Sequence, residues 1–394
     1  MTDTKKNTPK VVWQLLFFVS LLVILWFIWS QNTAGNNTSV SLPFIKKMAA
    51  LPLPELIKNR PETAYTHAID KATKLKILFL SQKYEEVENF IETERKPGYT
   101  PWDIRSWIDF YIKQLKDNPE NAVFEIEVPR ANDWVEHSPN STYSHTFRGQ
   151  VFYDLAWQAR GNKFSRETPK HSVKEFAQYL ELSKIDFKRA LEIDPSNDFA
   201  WMYMILINRQ HSGVSDNDFK TFQNALDQVP SSYRVYNSFL IALQPKWGGS
   251  NRLMSSYVKN YTDIKKQYPA LAQLASTVHK FKAQQIARKR SKLDKQLAAK
   301  KKDQSTYWKH FYEYFENETI WNKYSSGYQT VFDSHPNYAE GLHDFAEVAK
   351  GSGRTELAIN YYERAMKADA PFLGADKIYF FAKYLVVPEE YLSP

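Results

Sequence analysis

The sequence contains no cysteine, which excludes disulfide scaffolds, cysteine nucleophiles, thiolate metal sites and a lipidated cysteine anchor. Glycine is also scarce, at 12 of 394 residues, a level that disfavours glycine-rich phosphate turns and loop-rich β sandwiches. No HExxH, GxSxG, Walker A or EF-hand pattern occurs, and the nine histidines show no metal-ligand spacing. No cofactor, metal or catalytic residue is therefore expected. What the chain has in abundance is aromatic: 11 Trp, 24 Tyr and 25 Phe within a 43% hydrophobic composition. That supplies a large core and suits helices packed through aromatic faces.

Charge is missing altogether between Val11 and Ile45. Residues 11–30, VVWQLLFFVSLLVILWFIWS, predict a transmembrane helix, since twenty residues at a rise of ~1.5 Å span roughly 30 Å. Trp13, Trp26 and Trp29 sit near its ends, as interfacial aromatics do. A cleaved signal peptide would have a shorter apolar region followed by small residues, and Asn32 stands where a small residue is wanted. The segment therefore reads as an uncleaved anchor. Lys5, Lys6 and Lys10 precede it, so the positive-inside bias predicts a cytoplasmic tail over 1–10. The expected location is a single pass through the inner (plasma) membrane with the bulk in the periplasm. Residues 31–61 read as a linker, broken by Pro43, Pro52, Pro54 and Pro61.

From residue 62 onward helical periodicity dominates, and the predicted fold class is all-α: an anchor followed by a body of stacked helices. VFEIEV (123–128) is the only short strand candidate, and it suits a helix equally. An internal period sets the architecture. Trp308, Phe311, Tyr312 and Phe315, then Tyr324, Tyr328, Val331 and Pro336, recur 34 residues later as Leu342, Phe345, Ala346, Ala349, Ala358, Tyr362, Ala365 and Ala370. Phe187, Ala190 and Pro195 recur as Phe222, Ala225 and Pro230, shifted by 35. This pattern resembles the tetratricopeptide repeat, and implies helix pairs that bury their apolar faces only by stacking. The spacing predicts Trp308, Phe311, Tyr328 and Tyr362 as core. The expected divisions are 62–270, a basic helix over 271–304, and C-terminal repeats over 305–394.

A second resemblance rests on SPNS (138–141), Arg148-Gly149, AWQARG (156–161), DFKRALEIDPSN (186–197) and QPKWGGS (244–250). Together these look like a bacterial family catalogued as a domain of unknown function, over roughly 75–270. The resemblance implies a helical fold and no catalytic residues.

Three local features remain. The PKWGGS loop has a glycine pair and Ser250 before a helix, which suits either an anion site or a widened turn packed by Trp247. The basic helix carries Arg288, Lys289, Arg290, Lys292, Lys300, Lys301 and Lys302, which suit an acidic partner or an anionic surface rather than nucleic acid. Val278, Phe281, Ile286, Leu293 and Leu297 form a thin stripe that would dock it. Finally, first-helix residues opposite the packed face predict a partner-binding groove: Phe199, Met202, Leu206, Arg209, Arg234, Asn237, Lys309, Glu313, His343 and Glu347. No paired Lys/Asn clamp for a terminal carboxylate is present. These features predict an envelope adaptor that binds another protein. The alternatives are an immunity protein against a periplasm-acting toxin and an envelope hydrolase using Glu313 and Glu347 as paired carboxylates.

Overall fold

The chain divides into residues 1–50 and 51–394. The computed structural model describes residues 74–75, 77–94, 122–161, 167–209, 214–261, 266–298 and 304–367, all in the second part. The predicted tail, anchor and linker lie outside the described residues, as do Lys300, Lys301 and Lys302. The expected inner-membrane placement is corrected: among the described residues no helix is long and apolar enough to cross a membrane. The longest, of 26 residues, fails because lysines and arginines interrupt it from Lys280 onward.

Thirteen α-helices have both ends described, and there is no strand among the described residues. They are α1 (Tyr84–Glu94), α2 (Ala122–His137), α3 (Thr142–Arg160), α4 (Lys170–Ile193), α5 (Asp198–Asn208), α6 (Asp216–Gln228) and α7 (Tyr233–Ala242). Then follow α8 (Asn251–Asn260), α9 (Gln273–Ala298), α10 (Gln304–Glu316), α11 (Glu318–Ser334), α12 (Ala339–Gly351) and α13 (Thr355–Lys367). The VFEIEV segment lies in α2.

Short polar side chains set where several helices begin, because the first-turn amides have no partner inside the helix. Ser141 accepts from the amides of Tyr143 and Ser144, Asn197 from Ala200, Ser232 from Val235, Ser250 from Leu253 and Asn317 from Ile320. Ser215 and Asp218 close a reciprocal capping box on α6.

Helices α3 and α4 pair, α5 and α6 pair, and α5 also packs along α7. The first core joins Tyr153 and Ala156 of α3 to Phe187 and Ala190 of α4 and to Ala200, Met204 and Ile207 of α5. The second runs from Ile205 through Phe222, Val235, Phe239 and Met254 to Leu271, Leu274 and Val278. Each core thus takes side chains from three or more consecutive helices, as stacking requires.

The basic helix is not a docked appendage. Both α10 and α11 pack against α9. Its buried line is Leu274, Val278, Ala283, Ala287 and Ser291, while Leu293 stays 54% exposed. Small residues let the neighbours approach closely. A Cβ on Gly327 of α11 would fall 2.4 Å from Ser276 Oγ, and Ser276 Oγ donates to the Tyr324 carbonyl at 2.5 Å.

The 34-residue spacing locates most of the C-terminal core. Phe311, Phe315, Tyr324, Tyr328, Val331, Leu342, Phe345, Ala346, Ala349, Ala358 and Ala365 are all buried. Trp308, expected in the core, is 40% exposed. Tyr362 is half-buried, and its neighbour Tyr361 takes the buried position.

Candidate binding surface

The side chains expected to line an open groove mostly form the seam between consecutive helices. Phe199 is buried, and the guanidinium of Arg234 lies 4.9 Å from its ring centroid. Arg234 Nη1 donates to Asp198 at 3.3 Å, and Ser232 Oγ donates to the same carboxylate at 2.7 Å. Those contacts tie α7 to α5. Met202, Leu206, Arg209 and Asn237 are half-buried, with Leu206 packed against the first core. Phe199 is therefore not an exposed anchor: the neighbouring first helix covers it.

At the other end, Lys309 is exposed, Glu313 and Glu347 are half-buried, and His343 is buried. Glu313 faces His310, Lys309 and Arg290, with His310 Nδ1 at 2.9 Å and Arg290 Nη1 at 3.4 Å. The His310 hydrogen bond is the main reason its carboxyl is held below the usual range. Glu347 instead accepts from the Tyr312 hydroxyl at 3.2 Å. Glu313 thus sits with His310 and Arg290, and Glu347 with Tyr312.

Glu347 belongs to a different cluster. His343, Asp344 and Glu347 lie on α12 with one ligand atom each within 4.8 Å of the others. His343 and Glu347 stand four residues apart, and positions i and i+4 share a helix face. Lys280 Nζ donates to Asp344 Oδ2 at 3.2 Å, and Tyr312 donates to Glu347. Burial, with Glu347 next, raises the Tyr312 and Tyr362 hydroxyls, so both remain neutral donors. A bound cation would compete with Lys280 for Asp344 and with Tyr312 for Glu347. The trio acts as a polar seam joining α9, α10 and α12.

Of the basic-patch residues, Arg288, Lys289, Arg290 and Lys292 are described, and all four are exposed on α9.

The residues carrying the second resemblance are structural in this geometry. Asp186 is buried and accepts from Arg148 Nε at 2.9 Å and Nη2 at 2.7 Å, with His145 Nδ1 at 3.0 Å. Asn197 donates to Thr142 Oγ1 and Thr146 Oγ1 at 3.0 and 2.8 Å. Gly149 leaves room for the Phe187 ring. These contacts lock α3, α4 and the start of α5 together.

No protein-family model matches the chain, and no curated protein matches it. Among solved structures, one titled "Human IFIT1 dimer with PPP-AAAA" is similar over 84% of this chain and 95% of its own, with 12% identity and a TM-score of 0.23. That score is too low to carry an argument about fold or function.

Proposed function

We propose that this chain is a helical-repeat protein that works by binding another protein rather than by catalysis. One observation carries the reading. Three successive second helices each leave a large apolar side chain in solvent: Ile185 of α4 at 54%, Phe219 of α6 at 50% and Leu253 of α8 at 44%. Leu182, on α4 beside Ile185, is 42% exposed. Exposed apolar residues recurring on successive second helices are the kind of side chain a protein partner desolvates. The candidate carboxylates, by contrast, are engaged in separate seams.

The test is site-specific photo-crosslinking in living cells, with benzoylphenylalanine at position 185, 219 or 253. The expected result is one discrete adduct shared by all three positions. Aspartate at any one of them should weaken capture from the other two. Different adducts at each position, or none, would remove the reading.

A further inference from the structure

Helix α9 runs on past its own buried line. Among the described residues its last buried side chain is Ser291, and Leu293, two places further, is 54% exposed. The helix nevertheless continues to Ala298. Polar contacts to α10 hold this charged end. His310 of α10 stands between two carboxylates: Nε2 lies 2.6 Å from Asp294 Oδ2 of α9, and Nδ1 lies 2.9 Å from Glu313 Oε2 of its own helix. Arg290 Nη1 of α9 donates to the same Glu313 oxygen at 3.4 Å.

A neutral imidazole has one N–H, and its other nitrogen is an acceptor, while an ionised carboxylate only accepts. With one proton on the ring, one of the two short contacts would set a nitrogen lone pair against a carboxylate oxygen. Both contacts are hydrogen bonds only when the ring carries both protons. The surroundings favour that state. The hydrogen bonds to Asp294 and Glu313 push the ring up, against a smaller opposing effect of burial. The nearby cations reach Glu313 instead of the ring, Lys309 Nζ at 3.8 Å and Arg290 as above. The charged groups of the other helices packed on α10 are turned elsewhere. Asp344 and Glu347 of α12 take Lys280 and Tyr312, Glu318 of α11 takes Arg354, and Lys323 of α11 acts on His279.

We propose that His310 is a proton-operated latch: doubly protonated, it clamps the charged end of α9 to α10, and with one proton it lets that end open locally. Losing a proton turns the charge-assisted bond to Asp294 into a neutral one, and breaks it outright when Nε2 is the nitrogen left bare. Glu313 keeps Arg290 and Lys309 in either case, whereas among the described residues Asp294 has no other ion pair. The opening is confined to the end of the helix, because Ala283 and Ala287 are buried whatever the charge on the ring. Arg290 and Lys292 ride on that end and are exposed, so the latch sets how rigidly α9 presents them.

The test uses the full chain with histidine-selective ¹⁵N labelling, which reports the protonation of each ring nitrogen, and hydrogen exchange along α9, both from about pH 5.5 to about pH 9. Both nitrogens of His310 should stay protonated above the usual 6.5. As the ring then loses a proton, protection factors over 290–298 should fall about tenfold, the difference between a charge-assisted and a neutral hydrogen bond, while those over 273–287 hold. His310→Gln should abolish the step. Asp294→Asn keeps the ring, so it decides the matter if His310→Gln fails to fold: it should lower the titration of His310 and flatten the step. Lys289→Gln, an exposed cation on the same helix, is the control and should leave the step unchanged. A ring that titrates at or below 6.5, or protection over 290–298 with the same pH course in wild type and Asp294→Asn, would overturn the proposal.

Discussion

Phe222 lies flat on Phe239, with centroids 4.2 Å apart and planes 6° apart. One repeat earlier, Phe187 lies flat on Tyr203 at 4.7 Å and 7°. In both cases the second helix of one pair presses a ring onto a first helix, and three of the four rings are buried. Phe222→Ala and Phe187→Ala should each cost about 3–5 kcal/mol, the range for a buried phenylalanine. Because stacked helices couple mainly to their neighbours, hydrogen exchange in Phe222→Ala should accelerate over α5–α8 and leave α12 and α13 near wild type. Uniform loss of protection would contradict modular stacking.

Gly149 is the site where a helix-favouring substitution should destabilise. Alanine in place of glycine ordinarily helps a helix by about 1 kcal/mol. Here a Cβ would stand 3.0 Å from two Phe187 ring atoms, and that ring is held in its stack. Ser183 Oγ also donates to the Gly149 carbonyl at 2.7 Å, holding α3 against α4. Gly149→Ala should lose about 1–3 kcal/mol through overpacking, seen as a lower urea midpoint. A stabilised variant would mean the ring can shift.

The period of buried faces made much of this fold legible, because a helix that must bury one stripe repeats its apolar residues at fixed spacing. Phe187, Phe222, Phe311 and Phe345 were all readable that way. The interior of the supposed groove was not. Whether Phe199 faces solvent depends on Arg234 reaching back over it from the next repeat, a contact 35 residues away that periodicity does not encode. The turn at Trp247 was half legible: the glycine pair stood out in the loop. Arg209 comes from the end of α5, and only packing brings it to Trp247.

Two histidines on α9 and α10 should tilt stability in opposite directions with pH. Burial, helped by Lys282 and Lys323, holds His279 at about 4, so its folded state resists protonation. The unfolded ring protonates near 6.5, so wild type should lose stability as pH falls from 6.5 towards 4. His279→Gln should lessen that loss. Hydrogen bonds to Asp294 and Glu313, at 2.6 and 2.9 Å, raise His310. Its contribution is complete below the usual 6.5 and disappears as pH rises through the raised folded value. His310→Gln should be less stable than wild type at pH 6 and approach it in alkali. Urea midpoints against pH test both, and curves parallel to wild type would refute them.

Two tryptophans in the C-terminal helices separate spacing from burial. Trp308 matches the repeat position yet is 40% exposed, leaning on Phe311 and Tyr312 at 5.4 and 5.8 Å. Trp321, which the spacing did not single out, is only 6% exposed and lies 5.6 Å from Tyr324 and 5.4 Å from Phe345. Arg354 closes over it at 4.2 Å and donates to the Phe315 carbonyl at 3.1 Å. Trp321→Ala should therefore cost about 3–5 kcal/mol, and Trp308→Ala about 1–2 kcal/mol, in proportion to the apolar area each removes from water. Arg354→Met keeps an apolar cover while removing the charge, so it should lose about 1–2 kcal/mol. Urea unfolding ranks the three, with hydrogen exchange over 304–367 locating the damage. Equal losses in the two alanine variants would mean that repeat spacing, rather than observed burial, decides which indole carries the packing.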